Sequence, residues 1–172
     1  MQNSYNSIFD IGYSKERHIE NCEMFELLLN RSLNKVQMKY GDISDWILIS
    51  AENISEMVEK GHDDIGVEVS NLIFDCIMYF PEDERLQAIE KVKEIYATKN
   101  YDYGNIAEKQ LKWDGVISYK IMLEHKVNRF INLKNKERKV IDEKIEDTIL
   151  DIVGYSVIYL IWLVKGMPRV RN

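Results

Sequence analysis

The stretch IDEKIEDTILDIVGYSVIYLIWLV, Ile141 to Val164, decides how this chain is read. Its first half carries Asp142, Glu143, Glu146, Asp147 and Asp151, and its second half is almost wholly apolar. The spacing predicts one helix over 140–165. At roughly 100° per residue, Glu143, Asp147 and Asp151 lie one turn apart on a single stripe, with Glu146 beside them. Ile145, Ile149, Ile152 and Val153 form the opposite, core-facing side. After Tyr155 no polar face is left, so the acidic stripe runs into a buried region. Asp151 stands at that boundary, partly desolvated. The apolar run Ile152 to Val164 is shorter than a membrane span needs and reads as a core helix.

Carboxylates spaced by four repel one another, so some cation must settle them. Two candidates exist, a divalent metal and a basic side chain. Magnesium takes a few carboxylates and keeps waters or phosphate oxygens in its other positions. The preceding helix, GVISYKIMLEHKVNRFINL, offers the second candidate. Its apolar face holds Tyr119, Met122, Leu123, Val127, Phe130 and Leu133. Lys126 falls in the middle of that face and Arg129 at its edge. A lysine among apolar neighbours needs a partner or must bend out to water. The acidic stripe of the next helix would make a structural ion pair; a ligand phosphate would make a binding site. Both readings stand open, and they are compatible.

YDYGN, residues 101–105, is a third element. Gly104 is suited to positive φ. Asp102 suits a helix cap or an approach to a metal, and a tyrosine there suits stacking on a base or filling the core.

Outward from these motifs the chain reads as helical throughout. It has 172 residues with 45% hydrophobic and 30% charged, enough for one packed domain or two small halves. Two prolines and eight glycines are few for a sheet-rich chain. Helices are expected at 15–39, 44–60, 63–80, 82–98, 106–112, 115–134 and 140–165, with turns at 39–42 and 99–105. The first has Ile19, Cys22, Phe25, Leu28, Leu29, Leu33 and Val36 at helical spacing. Pro81 opens the fourth. Residues 1–14 read as a loose arm, 134–139 as a charged linker and 166–172 as a basic tail. The expectation is an all-α bundle of six or seven helices. An N-terminal half (15–98) and a C-terminal unit (99–165) share a tyrosine-glycine turn and an aspartate-bearing helix, which aligns Asp75 with Asp151. From glycine to aspartate the first copy runs 34 residues and the second 47. Duplication and chance matching both fit.

The net charge of −6 disfavours a general nucleic-acid surface but leaves room for a local basic pocket. Cys22 and Cys76 have no metal or redox spacing and suggest reduced thiols in a cytoplasm. No signal peptide is read at the start. His18, His62 and His125 make no metal pair, and no glycine-rich phosphate loop is present.

KNYDYG, LEHKVNRFINL and EKIEDTILDIVGYSVIYL together resemble the nucleotide-modification-associated domain 1 family, mostly helical proteins frequent in phages. Lys99, Asn100, Asp102, Tyr103, Gly104, Lys126, Arg129, Glu146, Asp147, Thr148, Asp151 and Tyr155 carry the match, over about 95–164. Two positions depart from the pattern: Ala107 replaces an aromatic, and Lys144 or Ile145 stands where a serine is usual. A wider likeness is to the all-α nucleoside triphosphate pyrophosphatases. The resemblance implies a nucleotide or nucleotide-derived ligand. It also implies magnesium on Glu143, Glu146, Asp147 and Asp151, and phosphate charge offset by Lys126 and Arg129. Asp102, Tyr103, Gly104 and Tyr155 would then shape the ligand's seat. A metal-dependent nucleotide phosphohydrolase is the leading expectation. The alternative is a non-catalytic phage protein that sequesters a nucleotide or blocks a host protein. A third is a structural helical module, dimeric through apolar surface near the last helix. No membrane association is expected.

Overall fold

A computed structural model describes residues 13–34, 39, 41–135 and 144–170. Among them are seven α-helices and no strand: α1 (Lys15–Leu33), α2 (Ile43–Glu59), α3 (Gly66–Met78), α4 (Arg85–Asp102), α5 (Ile106–Asp114), α6 (Val116–Asn135) and α7 (Ile145–Val164). The all-α expectation holds. Local chemistry sets many of the ends. The Ser14 hydroxyl accepts from the Arg17 N–H at 3.2 Å, and the Asp42 carboxylate accepts from the Ser44 N–H at 2.9 Å, each satisfying a donor that an N-terminus leaves open. Pro81 leads into a single 3₁₀ turn, Glu82–Glu84, before α4 begins. Gly115, at φ +69, ends α5 and allows α6 to start at once.

Helix α7 is the axis of the fold, packed by α1, α3, α4, α5 and α6. Every residue from Ser156 to Trp162 is buried. By length and composition α7 would suffice for a membrane span, but two-thirds of its apolar window is covered by the rest of the chain. Packing therefore accounts for its hydropathy: each large apolar side chain fully removed from water contributes about 1.5–3 kcal/mol. Val164 at the end of α7 stays exposed. Several polar groups of the helix tie it to neighbouring segments. Tyr159 donates to the Asp63 carbonyl at 2.5 Å and accepts from the Ile65 N–H at 3.1 Å, pinning the entry to α3, which has no side-chain cap. Ser156 and Tyr119 share a 2.7 Å hydrogen bond between α7 and α6. At Gly66 a Cβ would stand 2.7 Å from the Leu163 side-chain methyl, so a larger residue there would require Leu163 to move.

Several expectations are corrected. The first helix ends at Leu33, where the Asn34 N–H bonds to the Asn30 carbonyl, rather than reaching 39. Ile19, placed in the core by spacing, is half-exposed. The turn expected at 99–105 is largely helix: α4 runs through Asp102, and only Tyr103–Asn105 turn. Tyr13 and Ser14, read as part of a loose arm, are engaged by side-chain hydrogen bonds. Residues 1–12, Val36, Asp142 and Glu143 lie outside the described residues.

The two aspartates aligned by sequence occupy comparable places. Asp75 on α3 accepts from Ser50 on α2 at 2.8 Å, and Asp151 on α7 accepts from Lys126 on α6 at 2.7 Å. Both partners stand 25 residues upstream of their aspartate. All of the length difference between the two segments therefore falls before the partner, where the second carries α5.

Candidate functional site

One face of α7 is built for a cleft. Asp151, Gly154, Tyr155 and Ile158 follow at helical spacing and form its wall. The end of α4 supplies Tyr96, Lys99 and Asn100, the turn supplies Tyr103, α5 supplies Ile106 and Ala107, and α6 supplies Lys126. The cleft holds about 250 Å³. A helix-interior glycine costs roughly 1 kcal/mol relative to alanine. Here Gly154 leaves the middle of the wall bare, and a Cβ would reach only the Val92 side chain, at 3.8 Å.

Lys126 and Asp151 form the charged centre. Their atoms Nζ and Oδ2 are 2.7 Å apart, with both side chains about a quarter exposed. The lysine and the acid that the sequence pairs are thus brought together. The other described acids of the stripe, Glu146 and Asp147, do not join them as a metal-holding set. Asp147, half-exposed, pairs with Lys91 of α4 at 2.8 Å. Glu146 is half-buried one residue before it. Tyr103 and Tyr155 line the cleft, the first as an exposed rim. Gly104 takes φ +59 in the turn beside it. Asp102 is exposed at the last residue of α4 and does not line the cleft, and neither does Arg129, exposed on α6.

The fit to magnesium can be tested on the donors. Among the described residues, no three His, Cys, Asp or Glu side chains come together as a metal set. Asp151 and Asp147 each already hold a lysine, on separate neighbouring helices. The described acids therefore do not fit the expected magnesium set, and no chemical step is drawn through it.

Sequence reasoning missed what lies beneath the cleft. Glu108 of α5 is 1% exposed, yet it accepts from Lys165 at 2.6 Å and from the Asn105 amide at 2.6 Å. Lys165 also donates to Asn21 of α1 at 2.9 Å. Asn21 and Asn100 both donate to the Tyr13 hydroxyl, at 3.1 and 3.0 Å, and that hydroxyl shares a 3.0 Å hydrogen bond with His18 Nδ1. Burial raises the Tyr13 phenol pKa above its ordinary value, against these donated hydrogen bonds. Burial also drives the Tyr96 phenol far up, so it stays protonated. Asn105 sits at φ +61, a left-handed conformation that asparagine tolerates better than most residues. The network ties α1, α4, α5 and the end of α7 to the turn. Asn100 belongs to both network and cleft, which fixes the cleft floor.

Fold and site together define an all-α protein with a small cleft carrying two lysines, an aspartate and tyrosines. Residues 99–163 match the family model for nucleotide modification associated domain 1. No curated protein and no solved structure matches the chain. The wider likeness to nucleoside triphosphate pyrophosphatases finds no support in these comparisons. Of the residues that line the cleft, Lys99, Asn100, Tyr103, Lys126, Asp151 and Tyr155 all fall within the matched segment.

Proposed function

We propose that this cleft binds a nucleotide. The observation that carries the reading is convergence. Three motifs separated in sequence, around 99–104, 126 and 151–155, all within the segment that matches the family model, bring their lysines, aspartate and tyrosines to one cleft. The chemistry suits the ligand. Ammonium groups bind phosphate as point charges, and Lys99 and Lys126 supply two. Lys126 is held in place by Asp151 while keeping further N–H donors for a second acceptor. Tyr103 and Tyr155 offer π faces for stacking, which is tolerant of base identity. The reading is one of binding, and no hydrolytic step is assigned to these residues. Magnesium dependence, a phage setting and action in a cytoplasm lie beyond this reading, and the assay with and without magnesium tests only the first of them.

The test is a thermal-shift panel of nucleotides with and without magnesium. A ligand at a hundred times its Kd stabilises the native state by about 2.7 kcal/mol. For a domain of this size that is roughly 5–10 °C in Tm. Lys126→Ala should reduce the shift to within error at the same concentration. If no nucleotide moves the Tm of the unsubstituted protein, the proposal fails.

A further inference from the structure

A second cleft adjoins the first. It holds about 200 Å³ and is mostly apolar. Leu111, Tyr119 and Met122 line it, with Gln110 and Ser118 as its polar members. The two clefts share Ile106, Ala107, Tyr155 and Ile158, so Tyr155 stands between a charged chamber and an apolar one. Together they match the division of a nucleotide into a charged end and a flat ring. Ligand sites are mostly apolar with a few placed polar groups, commonly 300–1,000 Å³. Neither cleft alone reaches that range; a ligand that occupied both would.

Charge then limits the ligand further. The first chamber carries Lys99 and Lys126 against Asp151, one net positive charge. A phosphate monoester carries about 1.5 to 2 negative charges at neutral pH. Each further phosphoryl group adds negative charge, and the described lining has no further cation and no metal-ligating set to receive it. Asp151 would repel the excess.

We infer that the ligand is a nucleoside monophosphate, its ring in the apolar chamber past Tyr155 and its single phosphate on Lys99 and Lys126. This rests on the proposed nucleotide reading and adds the ligand's phosphate count and its orientation.

Two measurements on the full chain test it. The first is titration with adenosine mono-, di- and triphosphate and the other nucleoside series, in EDTA. The monophosphate should bind at least tenfold more tightly than the triphosphate of the same base. The second follows the methyl signals of ¹³C-methyl-methionine protein, with Met122→Leu used only to assign the Met122 signal. Adding the tightest-binding monophosphate should displace the Met122 methyl through the ring current of the base. Met57, which lines neither cleft, should stay in place. Tighter triphosphate binding in EDTA, or binding only with magnesium, overturns the monophosphate assignment. Saturable binding with an unmoved Met122 overturns the ring placement. Both results leave nucleotide binding intact, whereas no binding by any nucleotide removes the proposed function itself and this inference with it.

Discussion

Replacing Lys165 by methionine should be the most damaging single change at the surface end of α7. Lys165 follows the last residue of α7, and its side chain donates to Glu108 at 2.6 Å and to Asn21 at 2.9 Å. Methionine keeps the length and apolar stem but removes the charge. Glu108, at 1% exposure, would then hold a carboxylate with only the Asn105 amide at 2.6 Å and a long 3.5 Å contact from Asn21. Removing one partner of a fully buried ion pair costs about 3–5 kcal/mol. Lys165 is about a third exposed, so solvent already screens part of the pairing. The expected loss is therefore about 2–3 kcal/mol, or roughly 5–10 °C in Tm for a domain of this size. Paired thermal and urea unfolding would measure it. The diagnostic arm is the double variant Lys165→Met with Glu108→Gln. A neutral amide removes the stranded charge, so the double variant should recover at least half of the loss. A cost below about 0.5 kcal/mol for Lys165→Met, or a double variant less stable than the single one, would refute the account of a buried charge held by this lysine.

Two further outcomes are expected. Gly154→Ala should stabilise the protein by about 0.5–1 kcal/mol in denaturant titration, since helix propensity improves and the new methyl meets Val92 at an ordinary 3.8 Å. A loss of stability would mean that the bare wall of the cleft is maintained by packing rather than by space. Alkaline stability should depend on Tyr159, whose phenol burial pushes up to about 12 from an ordinary value near 10. The native state then keeps its proton where the unfolded state has lost it, so this contribution is whole below pH 10 and is lost between about pH 10 and 12. Tyr159→Phe should flatten that part of a stability-against-pH curve, and an unchanged curve would show that the phenol titrates alike in both states.

Helix periodicity makes much of this fold legible in the residues themselves. α7 is readable from the acids that stop and the apolar run that continues, and Lys126 from its position inside an apolar face. These are local signals, because both residues lie on helices whose faces the spacing defines. The course of α4 is hidden. Asn100, Tyr101 and Asp102 are composed like a turn, yet Tyr96 stacks on Phe25 with centroids 4.1 Å apart and Asn100 bonds to Tyr13, and this packing carries the helix onward. The network under the cleft is hidden for another reason. Asn21 meets Glu108 across 87 residues and Lys165 across 144, and each polar residue alone reads as part of a solvated helix face. The acidic stripe is overextended because a shared helix face does not decide which neighbour each acid meets. Asp147 finds α4 while Asp151 finds α6.

The matched 25-residue spacings of Ser50 to Asp75 and Lys126 to Asp151 have a consequence for how the molecule divides its labour. In the first half the aspartate is sealed: Asp75 has no exposure, and Lys39, whose ammonium also lies 5.1 Å over the Trp46 ring, closes on it. In the second half α5 precedes the pair and lines the cleft with Ile106 and Ala107, and Asp151 faces that cleft. One pair is a keystone and the other a doorway. Substitutions that enlarge or recharge the doorway can then be tried while the keystone holds the helices together, which makes the second half the place where a new ligand preference could be installed without rebuilding the fold.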